Sequence, residues 1–179
     1  MNATILQLNA AEPASRDRIA LRPARLADVP QIVALVNEFA AEKVMLARTP
    51  ESVELALHDF VVAVDQHERV LACAALKEYS PSLAEVASVA VARAAHGKGL
   101  GRRVVQAVEQ LAERRGITEL FALTLTDGFF EAIGYAITDV ARYPEKQRRD
   151  CAACPRRTAC NEICVTKHLV AVEERRAAA

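Results

Sequence analysis

The sequence has no tryptophan, and aromatic residues make up only 4% of its 179 positions. So few aromatic rings leave little surface on which nucleobases could stack. Its 23 basic residues are balanced by 23 acidic ones, so no positive excess is available for a phosphate backbone. We therefore expect no nucleic-acid partner.

The chain also lacks any apolar run near the roughly 20 residues that cross a bilayer, which predicts no membrane partner. Its first residues, MNATILQLNAAEPASRDR, do not have the basic-then-apolar layout of a secretory signal. These absences favour a cytoplasmic protein, in which cysteine thiols stay reduced.

What the sequence does have is 52% hydrophobic residues, enough to bury one core. Their periodicity predicts the order strand, two helices, three strands, helix, strand, short helix, strand, loop, strand. This order is typical of an α/β layered sandwich with a mixed, mostly antiparallel central sheet flanked by helices. We expect one domain over residues 18–172, including a cysteine-rich loop at 151–164, between flexible tails at 1–17 and 173–179.

Several local signals support these elements. Asp28 and Thr49 each precede an apolar helical pattern and are predicted to cap a helix. The runs at 60–65 and 69–79 are separated by polar QHE and predict an antiparallel hairpin. The last strand is expected over residues 162–172.

The stretch HGKGLG, residues 96–101, places glycines at every second position between a strand and an amphipathic helix. Glycines allow backbone N–H groups to converge, and the helix N-terminus adds partial positive charge. The stretch therefore predicts an anion-binding loop, although a tight turn with solvated cations would show the same residues. The spacing is neither that of a Walker loop nor GxGxxG.

A second cluster of unusual residues is the C-x2-C-x5-C-x3-C pattern near the C-terminus. Thiols this close together in a reduced compartment suggest a structural zinc site. Free thiols and a redox-sensitive disulfide are the alternatives, and the fourth cysteine could instead belong to the last strand and point into the core. The four candidate ligands are Cys151, Cys154, Cys160 and Cys164.

The glycine loop resembles the Gln/Arg-x-x-Gly-x-Gly/Ala signature of the GNAT (Gcn5-related) N-acetyltransferase superfamily, with His96 where glutamine or arginine is usual. In that family the loop holds the pyrophosphate of acetyl-CoA through main-chain N–H groups. The resemblance covers about residues 18–170 and implies a GNAT-type fold with acetyl-CoA as co-substrate. The implied cofactor-binding residues are Val89, Ala90, Val91, His96, Gly97, Lys98, Gly99, Leu100, Gly101, Arg102 and Phe130.

Other segments are similar to the acetyltransferase domain of N-acetylglutamate synthase, the amino-acid N-acetyltransferase that opens arginine biosynthesis. They are LRPA (21–24), ACAALK (72–77), AEVASVAV (84–91), LFALT (120–124), FFEAIGY (129–135) and PEKQRRD (144–150). The similarity implies a short, single-domain relative that acetylates the α-amine of L-glutamate.

Acetylation of an amino acid needs cations for its carboxylates and a base for its amine. Arg22 and Lys77 stand where the family places its glutamate-binding cations, although either could be a surface ion-pair partner. Arg148 and Arg149 are further candidate cations, unless EKQRRD is only a solvated charge run. Glu85 interrupts an apolar strand and is the candidate base, unless it is an edge-strand charge. Phe130 occupies the position of the tyrosine acid in many relatives, so CoA would leave as a thiolate.

Two other functions fit the same residues. The enzyme could acetylate a different amine, such as a peptide N-terminus, a polyamine or another small molecule. Alternatively, the chain could be a non-catalytic sensor or interaction module that binds CoA. Relatives often dimerise through the sheet, so the resemblance allows a homodimer.

Overall fold

The computed structural model describes residues 18–169, in which seven strands form one sheet between layers of helices. The strands are β1 (Ala20–Pro23), β2 (Phe60–Val64), β3 (Val70–Ser80), β4 (Leu83–Val91), β5 (Glu119–Thr124), β6 (Ala136–Thr138) and β7 (Ile163–His168). The helices are α1 (Val29–Ala41), α2 (Pro50–Leu55), α3 (Leu100–Arg114), α4 (Asp127–Glu131) and α5 (Pro144–Arg149). The two predicted tails and the end of the predicted last strand lie outside the described residues.

The strand order in the sheet is β1-β2-β3-β4-β5-β7-β6. Neighbouring strands are antiparallel except β4 and β5, which are parallel and are connected through α3. A parallel pair needs such a crossover, because the chain must return to the same end of the sheet. The predicted mixed, mostly antiparallel sheet and the β2–β3 hairpin are confirmed.

Both faces of the sheet are covered, and the buried strand β2 contributes side chains to each. One face packs against α3 and α4 through a cluster that includes Val61, Leu76, Val86, Leu100, Val104 and Val108. The other face packs against α1 and α2 through Ile32, Val36, Val53, Phe60 and Val62. Phe121, Tyr143 and Cys164 form a smaller cluster at the β5–β7 side. Within residues 18–169, no helix has the length and apolar character needed to cross a membrane.

The two predicted helix caps have different outcomes. Thr49 caps α2, since its hydroxyl accepts a hydrogen bond from the backbone N–H of Ser52 at 3.2 Å. Asp28 stands at the N-cap of α1, but its carboxylate does not bond the helix backbone. It accepts instead from the backbone N–H of Arg25 at 2.7 Å and from the guanidinium of Arg22. A 3-10 turn that ends at Asp28 directs the carboxylate back toward β1.

The short helix α5 was not among the predicted elements. It begins at Pro144, whose fixed φ and missing N–H suit the first helical position. Its sequence, PEKQRR, contains no apolar stripe, so periodicity alone indicates only a charge run. The helix brings its lysine, Lys146, and the next residue, Asp150, to the cleft described below.

Candidate active site

A cleft opens between β4 and β5 because the two strands pair only at their beginnings. Their register runs over three residue pairs, from Leu83–Glu119 to Glu85–Phe121. Among the described residues, no strand continues this edge of β4 over residues 86–91. The resulting cavity has a volume of about 460 Å³ and is also bounded by loop 44–48 and by residues 146–155.

One wall of the cleft carries a β-bulge centred on Ser88. The register between β3 and β4 shifts here, and Ser88 has a φ of 52°. Bulges bend a strand and redirect its side chains, and they are common beside active sites. The Ser88 hydroxyl accepts from the Nε and Nη2 atoms of Arg48 at 3.2 and 3.1 Å. The bulge therefore fixes where the Arg48 guanidinium lies in the cleft.

Arg48 is held from its backbone as well. The side-chain amide of Asn37, on α1, accepts from the backbone N–H of Arg48 and donates to its carbonyl oxygen, both at 2.9 Å. Among residues 18–169, no carboxylate lies within ion-pair distance of Arg48. A cation fixed in this way can bind an anionic ligand without first breaking an ion pair.

Glu85 lies deeper in the cleft and is nearly buried, with 7% of its side chain exposed. The ammonium group of Lys146, itself 12% exposed, donates to both carboxylate oxygens at 2.8 Å. The hydroxyl of Tyr79 donates to Oε2 of Glu85 at 2.8 Å. Burial alone would lower the pKa of Lys146, but Glu85 and Asp150 outweigh it and raise that pKa above its ordinary value.

Asp150 completes this charged cluster. Its carboxylate accepts from the Lys77 ammonium at 2.7 Å, contacts the Lys146 ammonium at 3.1 Å and is hydrogen-bonded to the Tyr79 hydroxyl. Burial would raise the pKa of Asp150, but the bonds from Lys77 and Tyr79 and the charge of Lys146 lower it to about 2. Burial and the two carboxylates raise the pKa of Tyr79, so its phenol stays protonated. One neutral phenol therefore bridges two carboxylates, which are in turn paired with two ammonium groups.

The structure brings together only some of the residues singled out for substrate and base. Lys77 and Glu85 both line the cleft and stand opposite each other in the β3–β4 register. Arg22 does not line it, because its guanidinium is bound by Asp28 and Glu68 beside the edge strand β1. Arg148 is exposed and does not line the cleft, whereas Arg149 lines it and lies 4.7 Å from the centre of the Tyr79 ring.

Four cleft-side residues were missed by sequence reasoning: Arg48, Tyr79, Lys146 and Asp150. Tyr79 follows Lys77 by two positions on β3, so a period of two places both on the face that carries Glu85. Lys146 and Asp150 are four residues apart around α5, which is typical of one helical face. Arg48 lies between elements and carried no comparable signal.

The glycine loop lies at the start of α3. Gly99 is the N-cap of α3, has a φ of 72° and provides no side-chain cap, so the first-turn N–H groups lack a side-chain acceptor. A Cβ atom at Gly97 or Gly99 would meet nothing within 4 Å, so the loop borders open space. Gly101 also serves packing, because a Cβ atom added there would lie 3.3 Å from the ring of Phe129 on α4. This geometry suits an anion at the helix N-terminus.

The other implied cofactor-binding residues surround this loop in different ways. Val89 and Phe130 line the cleft, while the side chain of Ala90 is buried in the core. His96 donates from Nε2 to the carbonyl oxygen of Val91 at 2.9 Å. Three further positions, Leu100, Arg102 and Lys98, differ in exposure. Leu100 is buried, and Arg102 donates to the carbonyl oxygen of Ala132 at 2.8 Å, while Lys98 is exposed.

The predicted four-cysteine zinc site is not assembled. Cys164 lies on β7, which turns its side chain into the cluster that contains Phe121 and Tyr143, and burial raises the pKa of its thiol to about 12. Cys151, Cys154 and Cys160 remain in the loop as free thiols. Over residues 18–169, no group of three or more His, Cys, Asp or Glu side chains is arranged to hold a metal ion.

Comparison with protein families matches residues 32–136 to the acetyltransferase (GNAT) family. An uncharacterized N-acetyltransferase of Chlorobaculum tepidum is 40% identical over 149 residues, which cover 83% of this chain and 96% of that protein. An amino-acid acetyltransferase of Mycobacterium tuberculosis is 33% identical over 66% of this chain and 68% of its own length. The match to the amino-acid acetyltransferase of Pasteurella multocida, at 28% identity, spans only 30% of that longer protein.

Solved structures agree with these relatives. N-acetylglutamate synthase from Neisseria gonorrhoeae, complexed with coenzyme A and N-acetyl-glutamate, superposes with a TM-score of 0.78 at 26% identity. The superposition covers 88% of this chain and 36% of the synthase. A Mycobacterium tuberculosis protein in complex with CoA gives a TM-score of 0.74 at 26% identity, covering 84% of this chain and 99% of that one.

Proposed function

The chain belongs to the acetyltransferase (GNAT) family, and we propose that it transfers acetyl from acetyl-CoA to the α-amine of L-glutamate, the first step of arginine biosynthesis. The observation that carries the choice of an acidic amino acid is Arg48, a fixed cation in the cleft with no carboxylate partner among residues 18–169. The likeness to N-acetylglutamate synthase supports the same substrate. We take residues 18–169 as belonging to a single acetyltransferase domain.

The residues around the glycine loop fit coenzyme A. We propose that the backbone N–H groups of Gly97, Gly99 and Gly101 hold its pyrophosphate at the N-terminus of α3, where no side chain competes for them. When bound, acetyl-CoA supplies an acetyl group activated as a thioester. The diverging edge of β4 offers the backbone N–H groups of Val89 and Val91 to the pantetheine arm and the thioester carbonyl.

The acceptor amino acid would lie on the side of the Ser88 bulge opposite to coenzyme A. Arg48 binds one carboxylate through its guanidinium, and Lys77, at the far side of the cleft, is the candidate for the second. Lys77 is already paired with Asp150, so a substrate carboxylate there would share the ammonium group. Arg22 and Arg148 have no part in this proposal because neither lines the cleft.

Glu85 is the proposed base for the substrate amine, directly or through one water. Its ion pair with Lys146 balances the carboxylate charge in a nearly buried place. The side chain of Phe130 has no acidic proton to donate, so the CoA thiolate leaves unprotonated and takes its proton from solvent.

The test is a thiol-release assay with acetyl-CoA and a panel of acceptors at equal concentration. L-glutamate should give the highest kcat/KM, with L-aspartate and L-glutamine as matched acceptors that change the length or the charge of the side chain. A polyamine or a peptide N-terminus that reacts faster than L-glutamate would contradict the proposal. So would coenzyme A binding without turnover on any amine, which would indicate a sensor.

One observation favours a second candidate acceptor. Val44 and Leu46 are exposed at the mouth of the cleft, where an apolar portion of an amine substrate could pack. An amino acid with a long apolar side chain therefore belongs in the same panel. A higher kcat/KM for L-leucine than for L-glutamate would select this second candidate.

A further inference from the structure

Tyr79 is the member of the charged cluster that the proposed acetyl transfer leaves without a role. Its hydroxyl is within hydrogen-bond distance of Glu85 Oε2, at 2.8 Å, and of Asp150 Oδ2. A phenol has one hydrogen to donate, although its oxygen can also accept. If both carboxylates are ionised, one of these contacts joins two oxygen atoms with no hydrogen between them. The arrangement has a hydrogen for each contact only when one carboxyl group is protonated.

Glu85 is the group that gains such a proton when it acts as the base. The protonated Glu85 then donates to the Tyr79 oxygen, while the Tyr79 hydroxyl donates to Asp150. Lys146 contacts both carboxylates, so its ammonium group stays paired with Asp150 while Glu85 is neutral. The exposed fraction of the side chain also rises along this series of hydrogen-bonded groups, from 7% for Glu85 to 23% for Asp150.

We infer that Tyr79 is a positioning residue that relays to Asp150 the proton Glu85 takes from the substrate amine. The inference rests on the proposed acetyl transfer. An N–H bond of the amine breaks as the Glu85 O–H bond forms. That proton then passes to the Tyr79 oxygen as the hydroxyl hydrogen of Tyr79 passes to Asp150, which releases it to water. Glu85 returns to its ionised form, and no phenolate accumulates.

The surroundings of Tyr79 fit a neutral relay. Lys77 lies 5.6 Å from the ring centre on the same strand, and Arg149 lies 4.7 Å from it on α5. Phe121, on β5, packs against the ring at a centroid distance of 5.4 Å. The raised pKa of Tyr79 keeps the phenol protonated between turnovers, and the low pKa of Asp150 favours rapid release to water. The ring is thus fixed while the hydroxyl alone exchanges protons.

Tyr79→Phe tests the relay because it keeps the ring and removes only the hydroxyl. We expect kcat for L-glutamate to fall about tenfold or more, with KM changed less than about twofold. Adding imidazole buffer at constant pH and ionic strength should restore part of kcat, since a small buffer can carry the proton that the hydroxyl no longer relays. A hydroxyl that only supported the structure would give no such rescue.

Tyr143→Phe is the matched control. Tyr143 also packs against Phe121, with ring centroids 4.2 Å apart, and its hydroxyl bonds Glu119 and Thr166 rather than Glu85. It should retain the wild-type kcat. The inference is overturned if Tyr79→Phe keeps the wild-type kcat, if its lower kcat does not respond to imidazole, or if Tyr143→Phe loses as much activity. If Tyr79→Phe does not fold, the kcat of the wild type is measured at increasing buffer concentration instead. A working relay makes this kcat independent of buffer, and a kcat that rises with buffer overturns the inference.

A measurement without turnover separates this inference from the proposed function. Carboxyl ¹³C NMR titration of the ligand-free protein should show the pKa of Asp150 rising from about 2 in Tyr79→Phe, because a hydrogen bond that lowers it is removed. If the wild type acetylates no amino acid, the proposed function fails, while this shift would still support the hydrogen-bonded chain. An unmoved Asp150 titration in an active enzyme overturns the relay alone.

Discussion

Replacing Lys146 by methionine should destabilise the protein far more than the loss of an ordinary surface lysine. The substitution keeps a long apolar side chain and removes the ammonium group that donates to both oxygens of Glu85. Glu85 would be left nearly buried, with Tyr79 as the donor that remains to it. An ionised carboxylate in such a place loses hydration that nothing replaces.

The magnitude follows from the exposed fractions. Exposed ion pairs contribute about 0–1 kcal/mol, whereas removing one partner of a buried pair costs about 3–5 kcal/mol. The side chains of Glu85 and Lys146 are 7% and 12% exposed, so the pair is much closer to the buried case than to the exposed one. Because Tyr79 still donates to the carboxylate, we expect the low end, a loss of about 3 kcal/mol in the free energy of unfolding.

Urea denaturation followed by circular dichroism measures this loss. Lys146 has a raised pKa, so its contribution is fully present below its ordinary pKa of 10.5 and is lost only as the pH rises through the higher folded value. The difference between wild type and variant should therefore stay constant between about pH 6 and about pH 9.

Two further variants sharpen the test. Lys167→Met breaks the more exposed pair with Glu109, at 25% and 11% exposure, and should cost about 1–2 kcal/mol without changing kcat. Glu85→Gln combined with Lys146→Met should recover about 2 kcal/mol relative to the sum of the single variants. A loss below about 1 kcal/mol for Lys146→Met, or additive losses in the cycle, would show that the pair is not desolvated and refute the reasoning.

Three other outcomes are expected. Gly99→Ala, at a φ of 72°, should raise the KM for acetyl-CoA severalfold and cost about 1 kcal/mol of stability. Its control, Gly116→Ala, lies at a φ of 77° beyond the other end of α3 and should cost the same stability with an unchanged KM. Equal effects of the two variants on KM would contradict the assignment of the loop to acetyl-CoA. Arg48→Gln should raise the KM for L-glutamate about tenfold and leave that for acetyl-CoA unchanged, and an unaltered glutamate KM would remove Arg48 from the substrate site. Lys77→Met should lower the unfolding free energy near pH 7 by about 1 kcal/mol, because Asp150 loses a partner of its ionised form. The pKa of Asp150 is about 2 against an ordinary 3.8, so its ionised form stabilises the fold above about pH 4 and loses that contribution as the pH falls through 2. Urea titrations at several pH values should show this difference shrinking toward zero in acid, and a constant difference would mean that Lys77 acts through something other than Asp150.

Most of the fold could be predicted because its elements carry strong periodicity. The run FVVAV reads as a buried strand, and the apolar stripe that includes Val104 and Val108 predicts α3. Helix α5 could not be predicted in this way. Its position depends on the contact between Lys146 and a carboxylate 61 residues away in the sequence.

The candidate site likewise contains residues that the sequence pattern predicts and residues that it does not. Lys77 stands out in the sequence at the end of an apolar run and Glu85 as the one charge of an apolar strand, and the structure places both in the cleft. Arg48 owes its place to Asn37 and to a bulge in β4, neither of which leaves a local pattern. Cys164 fits a metal-ligand spacing in the sequence, but the pleat of β7 decides where it points.

The three residue pairs that join β4 to β5 also have a mechanical consequence. The β6–β7 pairing is equally short, but only the β4–β5 pairing forms a seam with four strands on one side and three on the other. Thermal fluctuations should concentrate along it, so amide hydrogens of residues 86–91 at the open edge should exchange faster than those of the fully paired β2. Any molecule that bridges the seam would tie the two halves together and slow that exchange.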